Sequence, residues 1–185
     1  MATAFTHAVA ALAIGSCFYR PGVPKRVWVA GAACSVIPDL DVIGFRYGVH
    51  YGDFWGHRGF THSLVFAALA AVIIVLMAFR RGAPPMSRPA LLACLFFAGA
   101  SHGLLDAMTS GGLGVAFFSP FDTSRYFLPW RPILVSPISA GRFFSHRAYA
   151  IMASEMIWVW IPAALFSATV LLLRRSRTTG TELAG

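Results

Sequence analysis

The sequence has few charged residues. Only 12% of its 185 residues are Asp, Glu, Lys or Arg, whereas 57% are hydrophobic; a soluble domain carries roughly 25% charged residues. This shortage excludes an ordinary soluble globular domain, which needs a polar surface, and a disordered chain, which needs far fewer apolar residues. We therefore expect lipid to solvate much of the surface.

Cysteine is also scarce. Cys17, Cys34 and Cys94 all lie inside apolar stretches and show no CxxC spacing. This excludes a disulfide framework and a thiolate metal site. The three side chains are expected to be buried as small hydrophobic groups.

Five apolar stretches predict an all-α fold, a polytopic membrane bundle of about five helices. They run approximately over residues 3–19, 27–37, 61–79, 89–107 and 148–173. At 1.5 Å per residue the third and fourth would span about 28 Å, close to the thickness of a bilayer core, whereas the second is too short to span alone unless its ends lie deep. Pro162 predicts a kink in the fifth. Residues 1–175 then form one membrane domain, followed by a polar tail over residues 176–185.

Acidic residues are outnumbered, with seven Asp and Glu against fifteen Lys and Arg. The basic residues stand in short clusters between apolar stretches, which is typical of an oriented membrane protein and excludes nucleic acid as the partner. Nine of them share one side if all five stretches cross: Arg20, Lys25, Arg26, Arg80, Arg81, Arg88, Arg174, Arg175 and Arg177. The positive-inside rule makes that side the cytoplasm. The sequence therefore predicts a multi-pass protein of a bacterial-type inner (plasma) membrane, with the C-terminus cytoplasmic and the N-terminus on the outer face.

Histidines and carboxylates gather at the predicted outer ends of the stretches, and so at one depth. They are His7, Asp39, Asp41, His57, His62, His102, Asp106 and Glu155. Ionisable groups are costly at a membrane and indicate function. Imidazole and carboxylate without thiolate favour zinc as the ion, with manganese or iron as alternatives. Eight candidate ligands exceed the three or four that one catalytic ion needs, so the sequence favours two ions.

Spacing refines this expectation. His102 and Asp106 are four residues apart, so they share one helix face and can reach the same ion. Asp39 and Asp41 follow Pro38, which should end the preceding helix, and in an extended backbone their carboxylates would diverge. One carboxylate could then bind an ion while the other orients a histidine.

His57 and His62 are five residues apart, a poor spacing within one helix. They can serve one site if Gly59 opens a turn and the next helix begins near Thr61. Glu155 lies about two turns into the fifth stretch, where it is a ligand, a general base or a structural partner of a nearby arginine.

Three of these motifs together resemble a known family. Pro38-Asp39-Leu40-Asp41, the string HRGFTHS from His57 to Ser63, and His102-Gly103-Leu104-Leu105-Asp106 resemble the YdjM-type inner-membrane proteins. That family is described as membrane-bound metal-dependent hydrolases, so the resemblance implies a bound metal and a hydrolytic reaction. The order of Asp, His, HxxxD and Glu is similar, more loosely, to zinc-dependent phospholipase C.

These observations predict a membrane metallohydrolase acting on a phosphoester, such as that of a lipid headgroup, with metal-activated water as the nucleophile. Asp41 or Glu155 would be the base. Arg58, Arg125 and Arg131 could clamp phosphate oxygens, or could anchor the loops among headgroups.

Two other classes stay open. A metal-ion transporter needs polar groups through both leaflets, and the inner halves of the stretches are almost entirely apolar. A non-catalytic membrane protein could hold a structural metal or bind a regulator, and a closed four-ligand site would favour it.

Overall fold

The chain forms an all-α bundle, as the sequence predicts. The computed structural model describes residues 1–80, 86–138 and 147–182, with side chains as far as Ser176. Four α-helices lie in the first two parts: α1 Ala4–Ser16, α2 Lys25–Val36, α3 Leu64–Ala78 and α4 Arg88–Ala107. The last part is one continuous helix, in which α5 Arg147–Glu155, a π-helical turn Met156–Trp160 and α6 Ile161–Glu182 follow one another. No β-strand forms within these parts, only two isolated β-bridges.

Two 3₁₀-helical segments complete the fold and lie where the sequence clusters its histidines and carboxylates. Ile37–Tyr47 continues directly from α2, and Phe60–His62 precedes α3. Helix α2 and Ile37–Tyr47 together form one apolar helical segment, Lys25–Tyr47, that is 23 residues long. The second stretch of the sequence is therefore long enough to cross a membrane, because the helix does not end at Pro38.

Among the described residues, three helical segments are long and apolar enough to span a membrane: Lys25–Tyr47, Arg88–Ala107 and Arg147–Ser176. The expected span of about 28 Å for the third stretch is wrong. Helix α3 has 15 residues, about 22 Å at 1.5 Å per residue, since Phe60–Ser63 is used to position His62. Helix α1 is similarly short, with 13 residues.

Small side chains let α2, α3 and α4 approach closely. A Cβ added at Gly99 would lie 3.3 Å from Ala67 Cβ and 3.5 Å from Cys34 Sγ, the kind of small-residue contact by which membrane helices pack. Cys34 and Cys94 are buried and Cys17 is half-buried. The buried core beneath this contact is apolar and includes Val27, Ala71, Leu91 and Leu95.

The fifth stretch lies along the outside of the bundle. In an apolar 18-residue window of Arg147–Ser176 only 6% is buried inside the protein, so most of this helix faces lipid. A π-helical turn, Met156–Trp160, lies directly before Pro162, the residue at which the sequence predicts a kink. The α6 helix continues to Glu182, so the first part of the predicted tail is helical.

The predicted basic clusters meet at one end of the bundle. Arg174 near the end of α6 donates to the carbonyls of Cys17 and Tyr19, just beyond α1. Arg26 in α2 stacks over the ring of Phe79 at the end of α3, with 5.1 Å from Cζ to the ring centre. Arg81 and the side chain of Arg177 lie outside the described residues.

Candidate metal centre

Five buried side chains from four segments meet at the opposite end of the bundle. We call them the polar cluster: His7, Asp39, His62, His102 and Asp106. His7, His102 and Asp106 are fully buried, and His62 and Asp39 are only 4% and 8% exposed. Their potential ligand atoms lie close to one another.

Four of these residues offer one ligand atom each within 4.8 Å of one another. His102 Nε2 lies 3.4 Å from Asp39 Oδ1 and 4.0 Å from Asp106 Oδ2, and His62 Nε2 lies 3.7 Å and 3.6 Å from the same two oxygens. Tetrahedral zinc with bonds of 2.0–2.1 Å separates its ligand atoms by about 3.3 Å. The four atoms therefore stand close to the spacing that a bound ion requires.

His7 is the fifth member and comes from α1. Its ring stacks on that of His102 with 3.8 Å between the ring centres, and its Nε2 lies 3.6 Å from Asp106 Oδ1. Neither of its nitrogens has a hydrogen-bond partner. The ring is thus a further potential ligand on the Asp106 side of the cluster.

Helix α4 brings its two ligands to one face, as the spacing of four residues predicts. His102 and Asp106 are both fully buried on that helix. Between them, Gly103 allows the preceding turn to approach, because a Cβ there would lie 2.8 Å from the carbonyl oxygen of His62. A side chain at that position would therefore push the His62 turn away from α4.

Asp39 and Asp41 do not lie in an extended segment, and this expectation is wrong. They belong to the 3₁₀ helix Ile37–Tyr47, in which Pro38 occupies the first turn. The two carboxylates do diverge, however, and both reach His62. Asp39 Oδ1 lies 3.7 Å from Nε2 of that ring, and Asp41 Oδ2 lies 3.2 Å from its Nδ1.

The turn between His57 and His62 also differs in detail from the expectation. A 3₁₀ turn covers Phe60–His62 and α3 begins only at Leu64, where the Ser63 hydroxyl caps it by accepting from Phe66 N at 3.0 Å. The helix begins later than Thr61 because the turn carries His62 into the cluster before the chain enters α3.

The cluster histidines have tautomers fixed by their neighbours. His102 Nδ1 lies 2.7 Å from the carbonyl oxygen of Ser35, which can only accept, so Nδ1 carries the proton. His62 Nδ1 faces Asp41 Oδ2 and the hydroxyl oxygen of Thr61, whose own proton goes to Asp41 at 2.7 Å. In its neutral form each ring therefore presents an Nε2 lone pair to the cluster, the arrangement in which ligating histidines are found.

Unpartnered atoms identify the same place. The buried atoms without a hydrogen-bond partner include both nitrogens of His7, both carboxylate oxygens of Asp39, and Nε2 of His62 and of His102. Such atoms are expensive to bury unless something binds them. Lone pairs of nitrogen and oxygen that converge in this way fit a divalent transition metal.

A second group adjoins the polar cluster. Asp41, His57 and His62 also offer ligand atoms within 4.8 Å of one another. His57 Nδ1 lies 2.9 Å from Asp41 Oδ1, and His57 Nε2 is buried without a partner. Burial lowers the pKa of His57 despite the opposing hydrogen bond with Asp41. Asp41 thus holds two rings by their Nδ1 atoms.

Arg58 is fully buried and lies against Asp106. Its Nε donates to Asp106 Oδ2 at 3.1 Å, and its terminal nitrogens donate to Thr109 Oγ1 and to the carbonyls of Gly111 and Leu113 at 2.8–3.0 Å. The residue adopts a φ of 67°, a conformation that costs a non-glycine residue about 1 kcal/mol or more. These contacts position Asp106.

Glu155 is brought near the N-terminus of α1 but not into the polar cluster. Its Oε1 accepts from Thr3 N at 2.7 Å, and its Oε2 accepts from the hydroxyls of Thr3 and Thr6 at 2.5 and 2.6 Å. Trp160 Nε1 in turn donates to Thr6 Oγ1 at 2.7 Å. The carboxylate thereby joins α1, which carries His7, to the π-helical turn.

Arg125 and Arg131 lie in the loop after α4. Arg125 donates to the backbone carbonyls of Tyr51, Asp53 and His57 at 2.8–3.1 Å, and burial lowers its pKa. Arg131 is exposed and stacks over Phe127, with 4.7 Å from Cζ to the ring centre. Of the two, Arg131 is the one whose guanidinium faces the surroundings.

Some supporting residues could not have been found in the sequence. Ser35 contributes a backbone carbonyl, which any residue carries. Thr61 could have been identified from the sequence, because it lies inside the HRGFTHS string and a hydroxyl next to a histidine can share the hydrogen bond of that ring. Thr3, Thr6 and Trp160 are distant from Glu155 along the chain, and no spacing connects them.

Comparison with known proteins agrees with the sequence motifs. A profile of the family described as YdjM inner membrane protein matches residues 1–178. The inner membrane protein YbcI of Escherichia coli (strain K12) is 38% identical over 178 residues, which cover 95% of this chain and 100% of that protein. No solved structure matches the chain.

Proposed function

The chain belongs to the YdjM inner membrane protein family, and from that membership we propose that it is a membrane-embedded metal-dependent hydrolase. Its substrate would be a phosphoester, such as that of a lipid headgroup. The observation that carries the proposal is the convergence of buried, unpartnered nitrogen and oxygen atoms from four helical segments.

Asp39, His62, His102 and Asp106 would hold the ion, with His7 beside them. Neutral imidazole and carboxylate suit zinc first, and manganese or iron next. When bound, such an ion supplies Lewis-acid polarisation of a phosphoryl oxygen and lowers the pKa of a coordinated water.

Charge balance supports a divalent ion. Asp39, Asp41 and Asp106 have side chains that are at most 8% exposed, and Arg58 is the cation hydrogen-bonded among them. With neutral histidines these four side chains carry two negative charges in excess. Uncompensated buried charge costs several kcal/mol, and a divalent cation would neutralise it.

His57 is the group placed to take up a proton. Its Nδ1 is held by Asp41 and its Nε2 lone pair is buried next to the cluster, with its ring centre 5.1 Å from that of His62. Asp41 then acts as a positioning residue for both rings. Alternatively, the Nε2 lone pair of His57 would bind a second ion in the group formed with Asp41 and His62.

The position of the cluster supports a headgroup as the substrate. The cluster lies where several helical segments begin or end, and exposed aromatic side chains such as Trp55 and Trp130 lie in the adjoining loops, as they do at headgroup depth. Exposed Arg131 would meet a phosphate there.

Metal binding without catalysis is the second candidate. The near-complete burial of the four ligand residues resembles a closed structural site more than an open catalytic one. A metal-ion transporter is disfavoured, because the described core beneath the cluster is apolar and offers an ion no polar path.

The deciding experiment measures hydrolysis by zinc-loaded protein in lipid nanodiscs. Phospholipids and water-soluble phosphodiesters would be compared for wild type, His102→Ala and His50→Ala. His50 is the matched control, since its side chain is 88% exposed and outside the cluster. We expect cleavage by wild type and His50→Ala and its loss in His102→Ala. Metal-loaded wild type that cleaves nothing would favour the non-catalytic candidate.

The proposed orientation has its own test. Cysteine introduced at Asp53, whose side chain is 51% exposed in the loop before α3, should react with a membrane-impermeant reagent added outside the inner membrane. Cysteine introduced at Arg80 should react only after the membrane is opened. The reverse pattern would place the polar cluster on the cytoplasmic side.

A further inference from the structure

An apolar groove lies on the lipid-facing side of α4 and has a volume of about 670 Å³. Its floor is formed by Phe97, Ala100, Ser101 and Leu104. These positions are spaced at i, i+3, i+4 and i+7, so they share one face of the helix. Phe97 and Leu104 are 52% and 48% exposed, and the two small side chains stand between them. The small side chains leave the middle of this face open, which is where an occupant has room.

Aromatic rings form the walls of the groove. Phe117 comes from the loop after α4, Phe166 comes from α6, and Phe18 follows the last turn of α1. The hydroxyl of Ser101 on the floor donates to the carbonyl of Ala98 in its own helix at 2.7 Å, so it needs no partner from an occupant. An occupant is therefore held by van der Waals contact with rings and aliphatic side chains.

One end of the groove is built on the turn that carries His62 into the polar cluster. Leu64 lines the groove two residues after that histidine, and its N–H donates to the carbonyl of Phe117 at 3.0 Å. A Cβ at Gly103 would lie 2.8 Å from the carbonyl oxygen of His62 and 3.2 Å from Phe117 Cε1. Leu104, the next residue of α4, lines the groove. The groove and the polar cluster therefore adjoin the same contact between this turn and α4.

The other end of the groove lies about half a bilayer deeper. Cys17, directly after the last turn of α1, belongs to the lining, whereas His7 on the same helix belongs to the polar cluster. From His7 to Cys17 the helix advances about 15 Å at 1.5 Å per residue, and the hydrocarbon core of a bilayer is about 30 Å thick. The groove therefore extends from the level of the cluster over about one leaflet.

We propose that this groove holds an acyl chain of the lipid whose phosphoester reaches the metal centre. The substrate class is then a long-chain lipid phosphoester that enters sideways from the leaflet beside the polar cluster, and not a water-soluble phosphodiester. This inference rests on the proposed function, since it names the substrates that the same centre would accept. The length of the groove favours an acyl chain over a helix of a partner protein, because a spanning helix crosses both leaflets.

Crosslinking to wild-type protein tests the groove without requiring catalysis. Phosphatidylglycerol with a photo-activatable group on its acyl chain would be placed in nanodiscs with the full-length protein, and the labelled residues identified by mass spectrometry. A group close to the headgroup should label Leu104 and Phe117, and a group halfway down the chain should label Phe97 and Phe166. Labelling no stronger in the groove than on Leu69, which is exposed on α3, would overturn the proposal.

A variant that fills the groove tests its connection to hydrolysis. Ala100→Phe places a ring on the floor, and the matched control Ala68→Phe places the same ring at an exposed position of α3. Zinc-loaded proteins in mixed micelles would be given a long-chain phosphodiester or a water-soluble one. Ala100→Phe should raise KM for the long-chain substrate about tenfold or more at unchanged kcat, as expected when ground-state binding alone is lost. The soluble substrate should not distinguish the two variants.

The two measurements separate this proposal from the proposed function. Equal KM values for the long-chain substrate in Ala100→Phe and Ala68→Phe would overturn the acyl-chain site while hydrolysis itself stands. Wild type that is labelled in the groove but cleaves neither substrate would contradict the hydrolase, and with it the claim that the bound lipid is a substrate. If Ala100→Phe does not fold, the labelling pattern of wild type decides.

Discussion

His102 donates its Nδ1 proton to the carbonyl oxygen of Ser35 across 2.7 Å. This bond joins α4 to α2 in the buried interior and leaves the Nε2 lone pair facing Asp39 at 3.4 Å. The acceptor is a backbone atom, so no substitution of the Ser35 side chain removes it. The ring is thus fixed in tautomer and orientation before any ion binds, the preorganisation that ligating histidines need.

Replacing His102 should abolish tight metal binding. His102→Ala removes one of four ligand atoms, and we expect the affinity for zinc, measured by competition with a chelator, to fall more than about 100-fold. His50→Ala should retain wild-type affinity because the side chain is exposed. Wild type that cannot be loaded with zinc, manganese or iron would remove the basis of the proposed function.

The variant Asp41→Asn tests whether Asp41 positions the neighbouring histidines or binds a metal ion. If Asp41 only orients His57 and His62, the number of ions per chain should stay the same and the affinity should fall about 10- to 100-fold. If it holds a second ion, the number of ions per chain should fall. Asp53→Asn is the control, since that carboxylate is half exposed in a loop. Unchanged affinity in Asp41→Asn would contradict both roles.

Composition and the apolar stretches predicted the fold correctly because a membrane helix must satisfy its own backbone hydrogen bonds. The stretch containing Cys94 and Leu95 became a helix within about a residue of the expected bounds. The prediction of an extended segment after Pro38 was wrong, because proline is tolerated in the first turn of a helix as well as after its end. A sequence does not distinguish these two positions when a 3₁₀ helix follows an α-helix without a break.

For the candidate site, spacing predicted what lies on one helix and missed what tertiary packing decides. His102 and Asp106 share a face because helix geometry alone requires it. Glu155 was predicted to join them because it lies at the same depth in the membrane. Depth does not fix the position within the membrane plane, and the carboxylate of Glu155 contacts Thr3 and Thr6 instead. Arg58 was expected to meet phosphate, and its buried contact with Asp106 could be found only from coordinates.

Glu155→Ala should destabilise the protein more than it alters metal affinity. The change leaves Thr3 N and two threonine hydroxyls without their acceptor, and we expect a loss of about 2–4 kcal/mol of unfolding free energy. Thermal unfolding in detergent measures it, with Met156→Ala as an exposed neighbouring control. Complete loss of zinc from folded Glu155→Ala protein would instead identify Glu155 as a ligand.

Arg58→Lys tests whether this arginine is structural. A lysine supplies one compact ammonium in place of the fork that bonds Asp106, Thr109 and two carbonyls, so the folded state should lose about 3 kcal/mol. The melting temperature should fall in both the metal-free and the metal-loaded protein. Unchanged stability together with a raised KM would show that Arg58 binds substrate phosphate.

Gly103→Ala probes the approach of the His62 turn to α4. The new Cβ would meet the carbonyl oxygen of His62 at 2.8 Å and Phe117 Cε1 at 3.2 Å, so the turn has to move and His62 Nε2 has to leave its place opposite Asp106. We expect zinc affinity to fall at least about tenfold while the helical content is kept. Gly31→Ala is the matched control within α2, because a Cβ there meets nothing within 4 Å and alanine favours a helix by about 1 kcal/mol. If Gly103→Ala binds zinc as tightly as Gly31→Ala, the contact between the His62 turn and α4 does not determine the geometry of the centre.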